Sequence, residues 1–235
     1  MSGHSHYATT KRQKELKDNA RGQVFSKLSR AVTLAAKSGV NPEGNFKLRI
    51  AIDKAKAASM PKENIDRAIA KAAGGGETLD EVLYEGFGPA GISLLVEVAT
   101  DNKNRTNAEI KNIFEKSGGK VGSPGSVVFN FTLTGLLPIE KKGVTDDQIL
   151  KLIDLGAEDV DTTGEVVNIY VSPDNLSHMQ KTLTENGFAV KSAELIYKPK
   201  TTLSVPEDKV ESVASFLDNL ENDPDVQKVF TNATY

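Results

Sequence analysis

The chain has no cysteine and no tryptophan, and only three histidines among its 235 residues. Without cysteine there is no disulfide framework, no thiolate zinc site and no cysteine nucleophile, and a reducing cytosol suits the chain. No apolar run approaches the ~20 residues that cross a bilayer. The opening Met1-Ser2-Gly3-His4-Ser5-His6 has neither an apolar signal-peptide core nor the character of an Arg- and Ser-rich transit helix. The expectation is a cytoplasmic protein with no membrane partner. No GxxxxGK[ST] loop and no GxSxG serine are present, so neither nucleotide hydrolysis of that type nor hydrolase chemistry is expected. His4 and His6, with only His178 elsewhere, do not make a preformed metal site. The expectation is a protein that is not an enzyme, with no cofactor and no small-molecule substrate.

What is present is an uneven division of charge. Residues 1–76 carry 15 Lys and Arg against 6 Asp and Glu, a balance of +9. Residues 77–235 carry 14 against 26, a balance of −12. A split of this size separates a polyanion-binding module from an acidic body. Seven of the cations, Lys11, Arg12, Lys14, Lys17, Arg21, Lys27 and Arg30, lie within twenty residues that hold only Glu15 and Asp18 as counter-charges. Such residues neutralise phosphates and release counterions. Residues 1–20 have few apolar side chains and read as a tail that stays mobile until it meets a partner.

Three helices should follow. Val24, Leu28, Ala31 and Ala35 recur at helical spacing up to Gly39. Asn41-Pro42 reads as the start of a second helix with Leu48, Ala51, Ile52 and Ala55 on its apolar stripe. Pro61 opens a third, with Ile65, Ala68, Ile69 and Ala72, and Gly74-Gly75-Gly76 ends it as a linker.

The remainder alternates strand and helix. Strands are expected at Val82–Phe87, Ile92–Ala99 and Val127–Leu133, with a helix over Asn104–Ser117. From Gly135 to Lys198 the order is strand (136–140), helix (145–155), strand (157–162), strand (166–171), helix (174–186), strand (189–197). This is the βαββαβ order of a ferredoxin-like domain. The tail adds a strand near Leu203, a helix over Pro206–Leu220 and a strand over Val226–Phe230. The predicted fold is α+β with three domains. A helical domain (1–76) precedes a discontinuous ferredoxin-like domain (77–134 and 199–235), into which a second ferredoxin-like domain (135–198) is inserted.

Two motifs need weighing. Gly86-Phe87-Gly88-Pro89-Ala90-Gly91 has the letters of a dinucleotide fingerprint, but a strand rather than a helix follows it, so it reads as a hairpin turn. Asp101-Asn102-Lys103-Asn104-Arg105-Thr106 sits at a helix start. There Lys103, Arg105 and free backbone N–H groups could hold a phosphate, or Asn102 could serve as an Asx-type cap between two solvated cations. The acidic groups Asp146-Asp147, Glu158-Asp159-Asp161 and Glu221-Asp223-Asp225 read as solvated surface, the first pair favourably near a helix N-terminus.

Several blocks then resemble the YebC family. They are Gly3-His4-Ser5 through Lys11-Arg12, Ala20-Arg21-Gly22-Gln23-Val24-Phe25-Ser26-Lys27-Leu28, and Met60-Pro61-Lys62-Glu63-Asn64-Ile65-Asp66-Arg67-Ala68-Ile69. Tyr84–Pro89, Asp101–Thr106 and Gly118–Val127 continue the series in order across the first ~130 residues. Where the family often has Lys-Trp after Gly-His-Ser, this chain has His6-Tyr7, and Tyr7 keeps an aromatic face for stacking. The resemblance implies a helical N-terminal domain, two α/β domains and a bacterial or organellar factor of gene expression. Members are widely labelled DNA-binding transcriptional regulators. Others, including the mitochondrial translational activator of cytochrome c oxidase subunit one, act in translation, and bacterial members are linked to relief of ribosome stalling at proline-rich stretches. The resemblance adds His4, Tyr7 and Lys62 to the cations named above as expected nucleic-acid contacts. The expected role is a ribosome-associated translation factor touching rRNA or tRNA, with ribosomal proteins as possible partners of the acidic domains. The alternative is a transcriptional regulator bound to DNA.

Overall fold

The structure is a computed structural model that describes residues 6–74 and 79–235, with side chains described from Arg21 onward. Residues fall into two compact units, one of residues up to Val82 with Val98–Thr106 and Glu221–Gln227, the other of Leu83–Glu97, Asn107–Leu220 and Lys228–Tyr235.

The first unit is built on three helices: α1 (His6–Ala36), α2 (Phe46–Ala57) and α3 (Lys62–Ala73). Their core is small and aliphatic. Val32, Ala36, Leu48, Ile52, Ala55, Met60, Ile65 and Ala68 are buried, with Phe25 and Leu28 packed against them. The alanines let the helix axes approach closely, and the buried Thr33 hydroxyl donates to the Ala68 carbonyl at 3.0 Å, tying α1 to α3. Two expectations change here. Asn41 was expected to cap α2, but Asn45 does so. Its Oδ1 accepts the Leu48 N–H at 3.1 Å, while its Nδ2 donates to the Ala35 and Gly39 carbonyls at 2.7 Å each. One side chain thus closes α1 and opens α2. Asn41 instead forms a turn with Glu43 and Gly44. The second change is α1 itself, which begins at His6 instead of near Val24 and spans 31 residues, roughly 46 Å at 1.5 Å per residue. The tail argument concerned burial, whereas residues 6–20 contain no proline or glycine and are rich in good helix formers, which settles the backbone locally. Pro61 precedes α3 as expected, and Gly74 ends it with its N–H on the Ala70 carbonyl at 3.0 Å. Gly75 and Gly76 of the expected linker lie outside the described residues.

The remaining elements are β1 (Asp80–Phe87), β2 (Ser93–Thr100), α4 (Lys103–Lys116), β3 (Lys120–Val121), β4 (Phe131–Glu140), α5 (Asp146–Asp154), β5 (Asp159–Asp161) and β6 (Val166–Val171). They continue as α6 (Leu176–Glu185), β7 (Glu194–Pro199), β8 (Leu203–Ser204), α7 (Val210–Glu221), β9 (Val226–Thr231) and β10 (Ala233–Thr234). Two four-stranded sheets result, β3-β1-β2-β9 and β5-β6-β4-β7, beside a small parallel pair, β8 with β10. Strands β1, β2 and β9 have residues in both units. The fold is α+β, a helical domain followed by two ferredoxin-like α/β layers.

In the second unit, the β5-β6-β4-β7 sheet has the βαββαβ order read from the sequence. Val167, Ile169 and Val171 alternate into the core with Leu137 and Ile139. Gly135 stands on that side, and a Cβ there would lie 2.8 Å from Val171 and 3.0 Å from Leu176 of α6, so only glycine lets helix and strand meet. Thr145 caps α5 in a capping box with Gln148, and Asp146 and Asp147 occupy the first turn, as anticipated. The strand expected over Val127–Leu133 is not one element. Val128–Asn130 is a 3-10 turn, and Phe131–Glu140 runs unbroken into the second sheet, while Lys120–Val121 pairs with β1 in its place. Periodicity took Gly135 for a break because it could not register the close approach of α6. The Gly86–Gly91 stretch is the hairpin turn between β1 and β2. The Gly88 N–H bonds the Ile92 carbonyl at 2.9 Å, and Ala90 and Gly91 sit at φ 57° and 77°.

Glu85 fixes the long loop into β4. It is 6% exposed, and its carboxylate accepts the backbone N–H groups of Gly125 and Val127 at 2.6 Å and of Val128 at 2.8 Å. Burial pushes this carboxyl up, but the three N–H groups outweigh burial and leave its pKa lowered. The Gly-rich loop therefore closes on an anion that the chain itself supplies. Replacing Glu85 with Gln keeps the shape but removes the charge and points an amide donor at backbone donors. The expected loss is about 2–3 kcal/mol, read as a lower urea midpoint at unchanged m-value.

Candidate nucleic-acid interface

The first unit is organised around a buried carboxylate. Asp225, fully buried, pairs with Arg30 of α1 and with Arg105 of α4, the latter at 2.7 Å. The Thr106 hydroxyl donates to it at 2.5 Å and is itself 2.7 Å from the Thr100 hydroxyl. Arg30 also donates to the Pro224 carbonyl at 2.8 Å, and Arg105 to Asp101 at 2.8 Å. Burial works to raise the Asp225 pKa, but the bonds from Thr106, Arg105 and Arg30 prevail and hold it down at about 2. Arg105 is correspondingly raised, chiefly by its bond to Asp225. Nearby, the Lys27 ammonium donates to the Glu221 carbonyl, and burial lowers its pKa against the opposing pull of Asp223 and Glu221. The reading of Glu221-Asp223-Asp225 as solvated surface is thus corrected for Asp223 and Asp225, while Glu221 is exposed. Asp223 is buried as well, and it accepts the Asp225 N–H at 2.9 Å.

The expected contact residues separate into distinct groups. His4 lies outside the described residues. Tyr7, Lys11, Arg12, Lys14 and Lys17 are on α1, with their side chains outside the described set. Arg21 is exposed and its guanidinium sits 5.1 Å from the centroid of Phe25. Lys27 and Arg30 are engaged as above. Lys62 is exposed at the first residue of α3. Lys103 pairs with Asp80 at 3.2 Å, and both remain well exposed. At Asp101–Thr106 the Asn102 cap is present, since its Oδ1 accepts the Arg105 N–H at 3.1 Å. Lys103 and Arg105 are ion-paired rather than simply solvated. The sequence reading passed over the cations of α2: Lys47, Arg49, Lys54 and Lys56 are all exposed on a helix whose one acidic residue is Asp53. That four-to-one ratio was the available signal.

Two family models match the chain. One, described as the TACO1/YebC protein N-terminal domain, covers residues 5–75; the other, the TACO1/YebC second and third domain, covers residues 79–233. The chain belongs to the TACO1/YebC family. A probable transcriptional regulatory protein of Dictyoglomus thermophilum is 44% identical over 99% of this chain and 95% of its own length. One of Lactobacillus johnsonii, named in the same words, is 42% identical over 99% and 98%. The crystal structure of a conserved hypothetical protein from Aquifex aeolicus superposes with a TM-score of 0.84 at 40% identity, covering 91% of this chain and 90% of that one. Among the described residues, no helix is long and apolar enough to cross a membrane.

In this TACO1/YebC chain the sequence blocks hold one another in place. The Tyr84–Pro89 block supplies the carboxylate that clamps the Gly118–Val127 block, and the Asp101–Thr106 block supplies two of the groups on Asp225. Asp225→Ala leaves Arg30 and Arg105 without their shared anion and should cost about 3 kcal/mol in chemical denaturation. Because the folded pKa is depressed, this stability is complete above the unfolded value of 3.8 and is lost as pH falls toward about 2. Asp225→Asn should flatten that acid limb of the stability profile.

Proposed function

We propose that this protein is a nucleic-acid-binding regulator of gene expression that works in the cytoplasm as a ribosome-associated translation factor. The observation that carries the reading is the gathering of +9 of charge onto a helical unit whose first helix is 31 residues long. A charged rod of roughly 46 Å suits insertion among structured RNA, where phosphates approach from several sides. Lys11, Arg12, Lys14, Lys17 and Arg21 supply the phosphate contacts, joined by Lys62 and by the exposed cations of α2. Tyr7, near the start of α1, and His4 before it in the sequence add an aromatic ring that can stack on a base. Arg30 and Lys27 serve the base of the rod. The acidic remainder, at −12, favours basic ribosomal proteins over nucleic acid as its neighbours. The protein positions RNA and leaves chemistry to its partner.

The relatives' names favour a second reading, a transcriptional regulator on DNA. The same cations would then neutralise duplex phosphates. Sedimentation of the tagged protein through sucrose at near-physiological salt, with and without RNase, separates the two. Co-migration with ribosomes that disappears in a Lys11→Glu, Arg12→Glu, Lys14→Glu variant is the expected result. Unchanged association in that variant sinks the proposal, and migration at the top with DNA recovered on crosslinking makes transcription the better account.

A further inference from the structure

The β5-β6-β4-β7 sheet sends one side chain of each alternating pair away from α5 and α6. Register places Thr132 opposite Lys198, Asp159 opposite Tyr170 and Leu136 opposite Tyr170, so all five belong to this outer face. A cleft of about 300 Å3 opens there, lined by Thr132, Thr134, Asp159, Tyr170, Lys198 and Lys200 among others. Lys198 reaches over the sheet so that its ammonium lies 3.7 Å from the Tyr170 ring centroid and donates to Asp159 at 2.6 Å.

We infer that this face is a second RNA contact, a stacking site for one base of a single strand; this inference rests on the nucleic-acid reading above. Tyr170 is on a central strand, half-buried, and lines the cleft with one ring face toward the Lys198 ammonium. A ring so placed accepts any base, because every base has a π-face. The Lys198 ammonium now occupies that face, held by an ion pair whose side chains are 35% and 59% exposed. A pair this exposed is weak and yields to a ligand. When a base takes the ring, Lys198 is free to turn to a flanking phosphate beside Lys200, whose backbone N–H is fixed on the Asn130 carbonyl at 2.8 Å. Thr132, exposed on this face, offers a hydroxyl able to donate to or accept from a base edge, while the buried Thr134 hydroxyl donates to the Thr132 carbonyl at 3.2 Å. Asp159, released from Lys198, becomes an acceptor for a ribose 2′-hydroxyl, which a deoxyribose lacks. Glu158 and Asp159 balance the two lysines, so a duplex polyanion gains little here. Stacking therefore carries the affinity, and two phosphate contacts limit the salt slope to about −1.4. The five cations from Lys11 to Arg21 permit up to about −3.5 by the same rule.

The probe is a ten-nucleotide oligouridylate carrying 4-thiouridine, with its deoxy counterpart, applied to the full chain and to the triple Glu variant at residues 11, 12 and 14. Expected are a photo-crosslink within the peptide that holds Tyr170 in both proteins and, in the triple variant, residual binding with a shallow salt slope. Tyr170→Ala should lose the crosslink and weaken this residual binding about tenfold, while Tyr170→Phe keeps both. Asp159→Ala should shrink the preference for the ribose form. Crosslinks confined to residues 1–76 overturn the inference, as does a natively folded Tyr170→Ala chain that binds undiminished. Binding of a ten-residue oligolysine at this face with no oligouridylate also overturns it and assigns the face to a basic protein. The two proposals fail separately. A Tyr170 crosslink in a chain that sediments away from ribosomes keeps this site and removes the ribosomal role. Ribosome association that depends on residues 11–14, without any such crosslink, does the reverse.

Discussion

Asp225 is the constraint on which the helical unit depends. A fully buried carboxylate is tolerable only when its charge is answered, and here two guanidiniums and a hydroxyl answer it. Arg30 is 195 residues away in sequence and Arg105 is 120 away, so the pairing joins three distant parts of the chain at one atom group. The arrangement is directional as well as strong. Arg105 divides its donors between Asp101 and Asp225, which fixes the first turn of α4, and Thr106 adds a third direction. Arg30 is fixed in the same way at the end of α1 nearest the packed core, so the long basic helix is set from its base.

The same logic appears in the second unit at Glu85. Backbone N–H groups that converge from a glycine-rich loop are a usual phosphate cradle, and the Gly118–Val127 stretch has the composition for one. Its convergent donors are spent on Glu85. Likewise Arg30 and Arg105, by residue type strong phosphate ligands, are engaged by Asp225. Both anion sites that the composition suggests are thus filled from within. Among the described residues, Arg21, Lys62 and the α2 cations Lys47, Arg49, Lys54 and Lys56 are exposed, where a polyanion can reach them.

The helices and the second ferredoxin-like sheet were legible because their signals are local. Ile65, Ala68, Ile69 and Ala72 mark one face of α3, and Val167, Ile169 and Val171 alternate along β6. Boundaries failed where a distant residue decides them. Gly135 read as a break because the close approach of Leu176 leaves no trace at period two, and Asn41 read as a cap because Asn45's bonds to Ala35 and Gly39 depend on α1 turning back. The charge division of the chain was legible by counting. The division of labour among the cations was not, since nothing near Arg30 in sequence announces Asp225. Tyr170 went unremarked for the same reason: its value comes from Lys198 and Thr132, which pairing rather than proximity in sequence brings beside it.

The two proposed contacts raise the question of how one small protein could hold RNA at two places without binding every polyanion it meets. A uniformly basic surface would bind duplex and single strand alike, with affinity set by salt. Here the basic charge is gathered in residues 1–76 and opposed by acidic charge in residues 77–235, so long-range attraction favours the helical unit as the first to meet a polyanion. Contacts made by the acidic remainder must then be won by stacking and hydrogen bonding instead of net charge, and the proposed Tyr170 face has groups for both. Lys198, resting on the ring and on Asp159, keeps that face from presenting a bare aromatic to other proteins while costing little to move.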